Sequence, residues 1–106
     1  MRGEIWTVAG GGYASEPRPA LVIQDDRFDE VGSLTVIPLT STLNDAPLLR
    51  IPVESSQRTG LTVRSQIMID KVTTVPRANA HKRLGHLTAT ELVAVERALL
   101  VFLGIA

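Results

Sequence analysis

The sequence contains no cysteine. That excludes a disulfide scaffold, a thiolate zinc site and a thiol nucleophile. It has two histidines, too few to build a histidine-rich metal site. No sign of charge dominates: Lys+Arg and Asp+Glu are 11 each, for a formal net charge of zero. A basic coat that binds nucleic acid without specificity is thereby excluded, although a local basic site is not. Aromatic residues make up 4% of the chain: Trp6, Tyr13, Phe28 and Phe102. Long apolar runs are missing as well. The most apolar stretch, Leu92 to Ala106, carries Glu96 and Arg97 and is shorter than the ~20 residues of a membrane-spanning helix. Met1-Arg2-Gly3-Glu4-Ile5-Trp6 shows no apolar segment after its charge, so no secretory signal is expected. The composition predicts a soluble, cytoplasmic protein without membrane association.

What is present fits one domain over residues 1–106, with 44% hydrophobic residues to build a small core. Glu4 to Val8 alternates polar and apolar, the period of a half-buried strand. Ala9 to Pro19 reads as a loop around Gly10, Gly11 and Gly12, with Arg18 held between Pro17 and Pro19. Ala20 to Gln24 suits a central strand buried on both faces. Asp25 to Gly32 reads as an acidic turn, and Leu34 to Leu39 as a third strand whose Pro38 implies an edge or bulge. Leu49, Ile51 and Val53 share a face in a strand that Pro52 marks as irregular or peripheral. Ser65 to Val72 is a further strand that must bulge or end to release Lys71. Arg77 to Arg83 is a short basic segment, after which Arg83 to His86 could add a last strand.

The period then changes. Thr88 and Glu91 form an S/T-x-x-E capping box, placing a helix from Ala89. Leu92, Val95, Leu99 and Phe102 share its apolar face, and Gly104 is suited to ending it. Val93, Leu100 and Val101 lie off that face, so the helix is more apolar than one core contact requires. Five or six strands and a terminal helix predict an α+β, mostly β fold: a small curled sheet or barrel with the helix packed across it.

Most motif-like features have ordinary explanations. The glycine run lacks the G-K-[ST] of a phosphate loop and no helix follows it. Asp25, Asp26, Asp29 and Glu30 do not have EF-hand spacing and read as a solvated turn. His81 and His86 are five apart and would face opposite sides of a strand, a poor acid–base pair. Arg77, His81, Lys82 and Arg83 could meet phosphates or form a solvated connection. No G-x-S-x-G elbow surrounds any serine, Ser65 included. Arg18 and Thr40 are more informative. A guanidinium fixed at the mouth of a rigid strand can hold an anion through two parallel hydrogen bonds. The hydroxyls of Thr40-Ser41-Thr42 could bond a phosphate oxygen. A surface arginine plus a threonine-rich turn is the alternative.

Four segments in order resemble the MazF/PemK family of toxins from type II toxin–antitoxin systems. They are Arg2-Gly3-Glu4-Ile5-Trp6, Arg18-Pro19-Ala20-Leu21-Val22-Ile23, Val36-Ile37-Pro38-Leu39-Thr40-Ser41, and Ser65 to Val72. The resemblance covers nearly the whole chain. It implies an SH3-like (CcdB/PemK-like) barrel with a C-terminal α-helix, assembled as a homodimer. It implies an endoribonuclease, an mRNA interferase, that cuts single-stranded RNA without metal or other cofactor. Arg18 and Thr40 take the family's catalytic positions; Tyr13, Glu16, Ser41, Ser65 and Lys71 are the accompanying substrate-binding candidates. Tyr13 would stack a base, Glu16 is a candidate general base, and Lys71 with the 77–83 cluster would hold flanking phosphates. The implied protein partner is a MazE/PemI-like antitoxin with an acidic-apolar tail that folds over the dimer groove. The chain departs from the family in a shorter loop before Arg18 and in Lys71, where many members carry Gln. A CcdB-like gyrase poison is the competing function, but Gly104-Ile105 lacks the preceding Trp of those toxins. An inactive binding module is the other alternative.

Overall fold

The protein is described by a computed structural model covering residues 1–10 and 16–105. Among the described residues seven strands precede one helix: β1 Glu4–Val8, β2 Arg18–Val22, β3 Ser33–Thr40, β4 Arg50–Val53, β5 Ser65–Met68, β6 Thr73–Pro76, β7 Ala80–His86 and α1 Ala89–Phe102. Every strand pair is antiparallel. The order across the sheet is β4-β5-β3-β2-β1-β7, with β6 also paired to β3.

The apolar pattern accounts for this arrangement. In β2, Leu21 points into one core cluster and Ala20 and Val22 into another, so the strand is buried on both faces as its unbroken apolar run predicts. The first cluster gathers Ile5, Leu21, Ile37, Ile67, Ile69 and Val95 beneath the helix. The second gathers Val8, Ala20, Val22, Leu34, Val36 and Val75. Burial of each large side chain among them contributes roughly 1.5–3 kcal/mol.

Pro38 does not lie on an outer strand. It sits where β3 changes partner, between the β6 register that ends at Val36 and the β5 register that begins at Leu39. A missing N–H is least disruptive in such a gap. Pro52 does occupy an outer strand, β4. Lys71 is released by a 3₁₀ turn over Ile69–Lys71, which buries Ile69 and leaves Lys71 exposed.

Among the described residues the strand count exceeds the five or six expected because of β6, and the basic segment lengthens the expected last strand. Residues 80–83 belong to a seven-residue β7 that pairs with β1. β6 buries only Val75, so periodicity carries little sign of it. Arg77 is not a free cation: its Nε donates to the Val31 carbonyl at 3.0 Å, and a terminal nitrogen reaches the carbonyls of Phe28 and Ser33. Arg83 pairs with Glu4 at 2.9 Å. The Trp6 indole N–H also donates to Glu4, at 2.9 Å. Burial pushes the Glu4 carboxyl up, but Trp6, Arg83 and the terminal ammonium together bring it below its ordinary value.

The acidic turn has a structural task. Asp26 accepts from the terminal ammonium and from the Arg2 N–H, both at 3.1 Å, while Asp25 accepts from Arg27. Among the described residues no group of three metal-ligating side chains comes together.

Helix α1 starts at Ala89, with both halves of the Thr88–Glu91 capping box formed. Gly104 follows its end with φ of +74°, a conformation that favours glycine. The packed face runs through Leu92, Val95 and Leu99 and stops short of Phe102. Helical phase predicts Phe102 in the core, yet it is 44% exposed, alongside Leu100, Val101, Leu103 and Ile105. No helix among the described residues is long and apolar enough to cross a membrane.

Candidate active-site cleft

β2 and β3 pair with Ala20 opposite Pro38 and Leu21 opposite Ile37. Continued toward the strand ends, that register sets Arg18 opposite Thr40. Directly opposed residues of an antiparallel pair project to the same face, with Cβ atoms ~5 Å apart. Both side chains line one cleft of about 310 Å³. Sequence order hides this neighbourhood; strand pairing creates it.

The Thr40 hydroxyl is already oriented. Its Oγ1 accepts the Thr42 N–H at 3.1 Å, which occupies a lone pair and leaves the hydroxyl proton available to an acceptor in the cleft. Arg18 is exposed, and no carboxylate of the described residues lies within ion-pair distance of it. One forked cation and one hydroxyl donor on the same face make an anion site.

The other candidates divide. Ser41 lines the cleft and is exposed. Ser65 also lines it, but is buried and donates its hydroxyl to the Val63 carbonyl at 3.1 Å. Glu16 lines a separate depression of about 190 Å³ that shares Arg18 and Pro19 with the cleft. Lys71 does not line the cleft; its ammonium lies 3.9 Å from Asp70, which also pairs with Arg50. Tyr13 falls outside the described residues. His81 and His86 are exposed on β7, with His86 Nδ1 at 3.5 Å from Arg83.

The opposite wall has no motif that marks it in the sequence. It consists of Gly60, Leu61, Thr62, Val63 and Leu84. Two glycines are its only signal. A Cβ on Gly60, whose φ is +72°, would stand 2.1 Å from the Leu84 carbonyl oxygen. A Cβ on Gly85 would stand 2.0 Å from the Arg58 carbonyl oxygen. The turn before the wall and strand β7 cross backbone to backbone, and only glycine permits that approach. Gln66, opposite Thr40 in the β3–β5 pair, clamps the loop after β3. Its side-chain amide accepts from and donates to the backbone of Asn44, both at 3.0 Å.

A family model described as PemK-like, MazF-like toxin of type II toxin–antitoxin system matches residues 1–103. The chain belongs to this family. It is 57% identical over 106 residues to a probable endoribonuclease MazF of Mycolicibacterium smegmatis, covering 99% of this chain and 97% of the relative. It is 29% identical over 114 residues to endoribonuclease MazF9 of Mycobacterium tuberculosis, covering 98% and 96%. Among solved structures, Mycobacterium tuberculosis toxin MazF-mt6 superposes with a TM-score of 0.83 at 21% identity, over 97% of this chain and 98% of that one. An endoribonuclease in complex with its cognate antitoxin from a mycobacterial species superposes with a TM-score of 0.81 at 20% identity, over 100% and 96%. The expected mostly β fold with one C-terminal helix is that of these toxins.

Proposed function

We propose that this chain is the toxin of a type II toxin–antitoxin system and acts as an endoribonuclease on single-stranded RNA, in the bacterial cytoplasm. The observation that carries the reading is that Arg18 and Thr40 line one cleft. In the proposed reaction the ribose 2′-oxygen attacks the adjacent phosphorus. The new 2′-O–P bond forms as the bond to the 5′-oxygen breaks. The 2′-hydroxyl proton passes to a base, and the departing 5′-oxygen takes up a proton. The products are a 2′,3′-cyclic phosphate and a 5′-hydroxyl end.

Negative charge grows on the non-bridging oxygens during attack. Arg18 stabilises it through its fork of N–H donors, and Thr40 donates its free proton to one of the same oxygens. The nucleophile belongs to the substrate, so the step requires neither an enzyme nucleophile nor a cofactor. Glu16, in the depression that shares Arg18, is the candidate base for the 2′-hydroxyl proton. DNA lacks the attacking hydroxyl and is inert. The surplus apolar surface of Val93, Leu100, Val101, Phe102 and Leu103 supports a homodimer, whose groove an acidic-apolar antitoxin tail would cover.

The test is cleavage of a long single-stranded RNA and its DNA counterpart in EDTA, with product ends mapped. RNA-only cutting with cyclic-phosphate ends, reduced roughly 10²–10³-fold by Arg18→Ala, is the expected result. Absence of cutting across varied RNAs would refute it.

A further inference from the structure

The cleft has two walls, and only one is built by the paired strands that carry Arg18 and Thr40. The other, Gly60 to Val63, leaves a turn that begins after β4. At the centre of that turn is Thr59, a polar residue with no exposed surface that does not line the cleft. Its hydroxyl donates to the Glu54 carbonyl at 3.0 Å and accepts the Leu61 N–H at 3.4 Å. Ser56 Oγ lies 3.1 Å from the same oxygen and accepts the Thr59 backbone N–H at 3.0 Å. Gly60 N–H closes the turn on the Ser56 carbonyl at 2.9 Å.

Resting on the ribonuclease reading, we infer that Thr59 is a positioning residue: it fixes the Gly60–Val63 wall at the distance from Arg18 and Thr40 at which a nucleotide is held. An apolar residue of the same shape would fill position 59 equally well. A hydroxyl there is explained by what it ties together. It links the start of the turn at Glu54 to the wall at Leu61. The glycine crossing ties the same turn to β7, where the His86 N–H donates to the Arg58 carbonyl at 2.9 Å. Lateral position is thus set by β7, and the path from Thr59 into the wall is set by its hydroxyl. Thr59→Val keeps the shape but leaves the Glu54 carbonyl and the Leu61 N–H without their partner. The wall then re-forms elsewhere, and substrate loses contact with it while Arg18 and Thr40 stay in place.

The test is steady-state cleavage of a defined single-stranded RNA by the intact toxin, at a temperature at which each variant is folded by circular dichroism. Thr59→Val is expected to raise KM roughly tenfold with kcat changed less than about twofold, since binding geometry changes and the reacting groups do not. Thr59→Ser, which restores the hydroxyl, should return KM to within about twofold of wild type. Ser56→Ala removes the exposed partner of the same hydroxyl. It should raise KM roughly threefold alone and add nothing to Thr59→Val. An unchanged KM in Thr59→Val, or a loss of kcat that Thr59→Ser does not rescue, overturns the inference. If Thr59→Val does not fold, Ser56→Ala decides: an unchanged KM overturns it. Wild-type protein that cuts no RNA refutes the ribonuclease reading, and this inference falls with it. Wild-type cutting with a normal Thr59→Val refutes the inference alone.

Discussion

Removing the Glu91 side chain should cost more stability than a surface carboxylate ordinarily does. Its Oε1 accepts the Thr88 N–H at 2.7 Å, completing the capping box, and the Arg58 guanidinium at 2.7 Å. Loss of the capping acceptor costs about 1 kcal/mol. The Arg58 pair is about one-third exposed on each side, so solvent screening holds its contribution to roughly 0.5–1 kcal/mol. Glu91→Ala should therefore lose about 1.5–2 kcal/mol. Unfolding entropy for a chain of this size is about 0.2 kcal/mol/K, which converts that loss into a Tm drop of about 7–9 °C at pH 7. Glu91→Gln keeps a neutral acceptor for Thr88 and should lose less. Its pH dependence is the sharper test. Burial pushes the Glu91 carboxyl up, but the Thr88 N–H, the Arg58 guanidinium and the Thr88 side chain bring it below its ordinary value. A carboxyl lowered on folding adds stability above its unfolded pKa and loses it as the pH falls through the folded value. The Tm gap between wild type and Glu91→Gln should be full at neutral pH and close as the pH falls below about 4. Thermal unfolding at one fixed protein concentration measures both effects. A Glu91→Ala Tm within about 2 °C of wild type, or a Glu91→Gln gap constant from about pH 7 to 3, would refute the reasoning.

Arg18→Lys keeps a positive charge but loses the two-pronged fork. Single-turnover cleavage should slow roughly 10²-fold, and a rate within about threefold of wild type would show that charge alone suffices. Gly85→Ala drives a methyl group to 2.0 Å from the Arg58 carbonyl oxygen, against backbone that cannot yield cheaply. Urea denaturation should show more than about 3 kcal/mol of destabilisation or no folded protein, and a wild-type midpoint would contradict the crossing. An RNA with one 2′-deoxy nucleotide at the cleaved position should bind with nearly unchanged affinity and resist cutting there. Cleavage at that position would rule out attack by the 2′-oxygen.

The elements legible in the sequence are those whose signal is local. β1 alternates, β2 is an unbroken apolar run, and Thr88 with Glu91 marks the helix start at Ala89. β6 is hidden because Val75 is its only buried residue. Only the end of β7, Arg83 to His86, reads as a strand; its first residues read as a basic segment because Gly85 is the only buried residue of β7, and the hydrogen bonds that extend it come from β1. Phe102 keeps helical phase with Val95, but phase does not say where the core ends. Arg18 and Thr40 stand out by residue type and resemblance, whereas their common cleft requires the β2–β3 register. Its second wall depends on Gly60 and Gly85 meeting the chain at close quarters, and only the folded topology brings those segments together.

The pairing of β1 with β7 also bears on when the protein becomes dangerous to the cell that makes it. Arg18 and Thr40 are synthesised well before Leu84, which lines the same cleft. Strand β1 must wait for β7 before its second side is hydrogen-bonded, and such long-range pairing forms slowly. At synthesis rates of roughly 5–20 residues per second, the growing chain spends seconds with Arg18 and Thr40 made and the far side of their cleft absent. Completion of the cleft therefore has to wait for β7. A chain terminated before β7 is expected to lack the finished cleft and to cut no RNA, although both residues proposed for the chemistry are already in it.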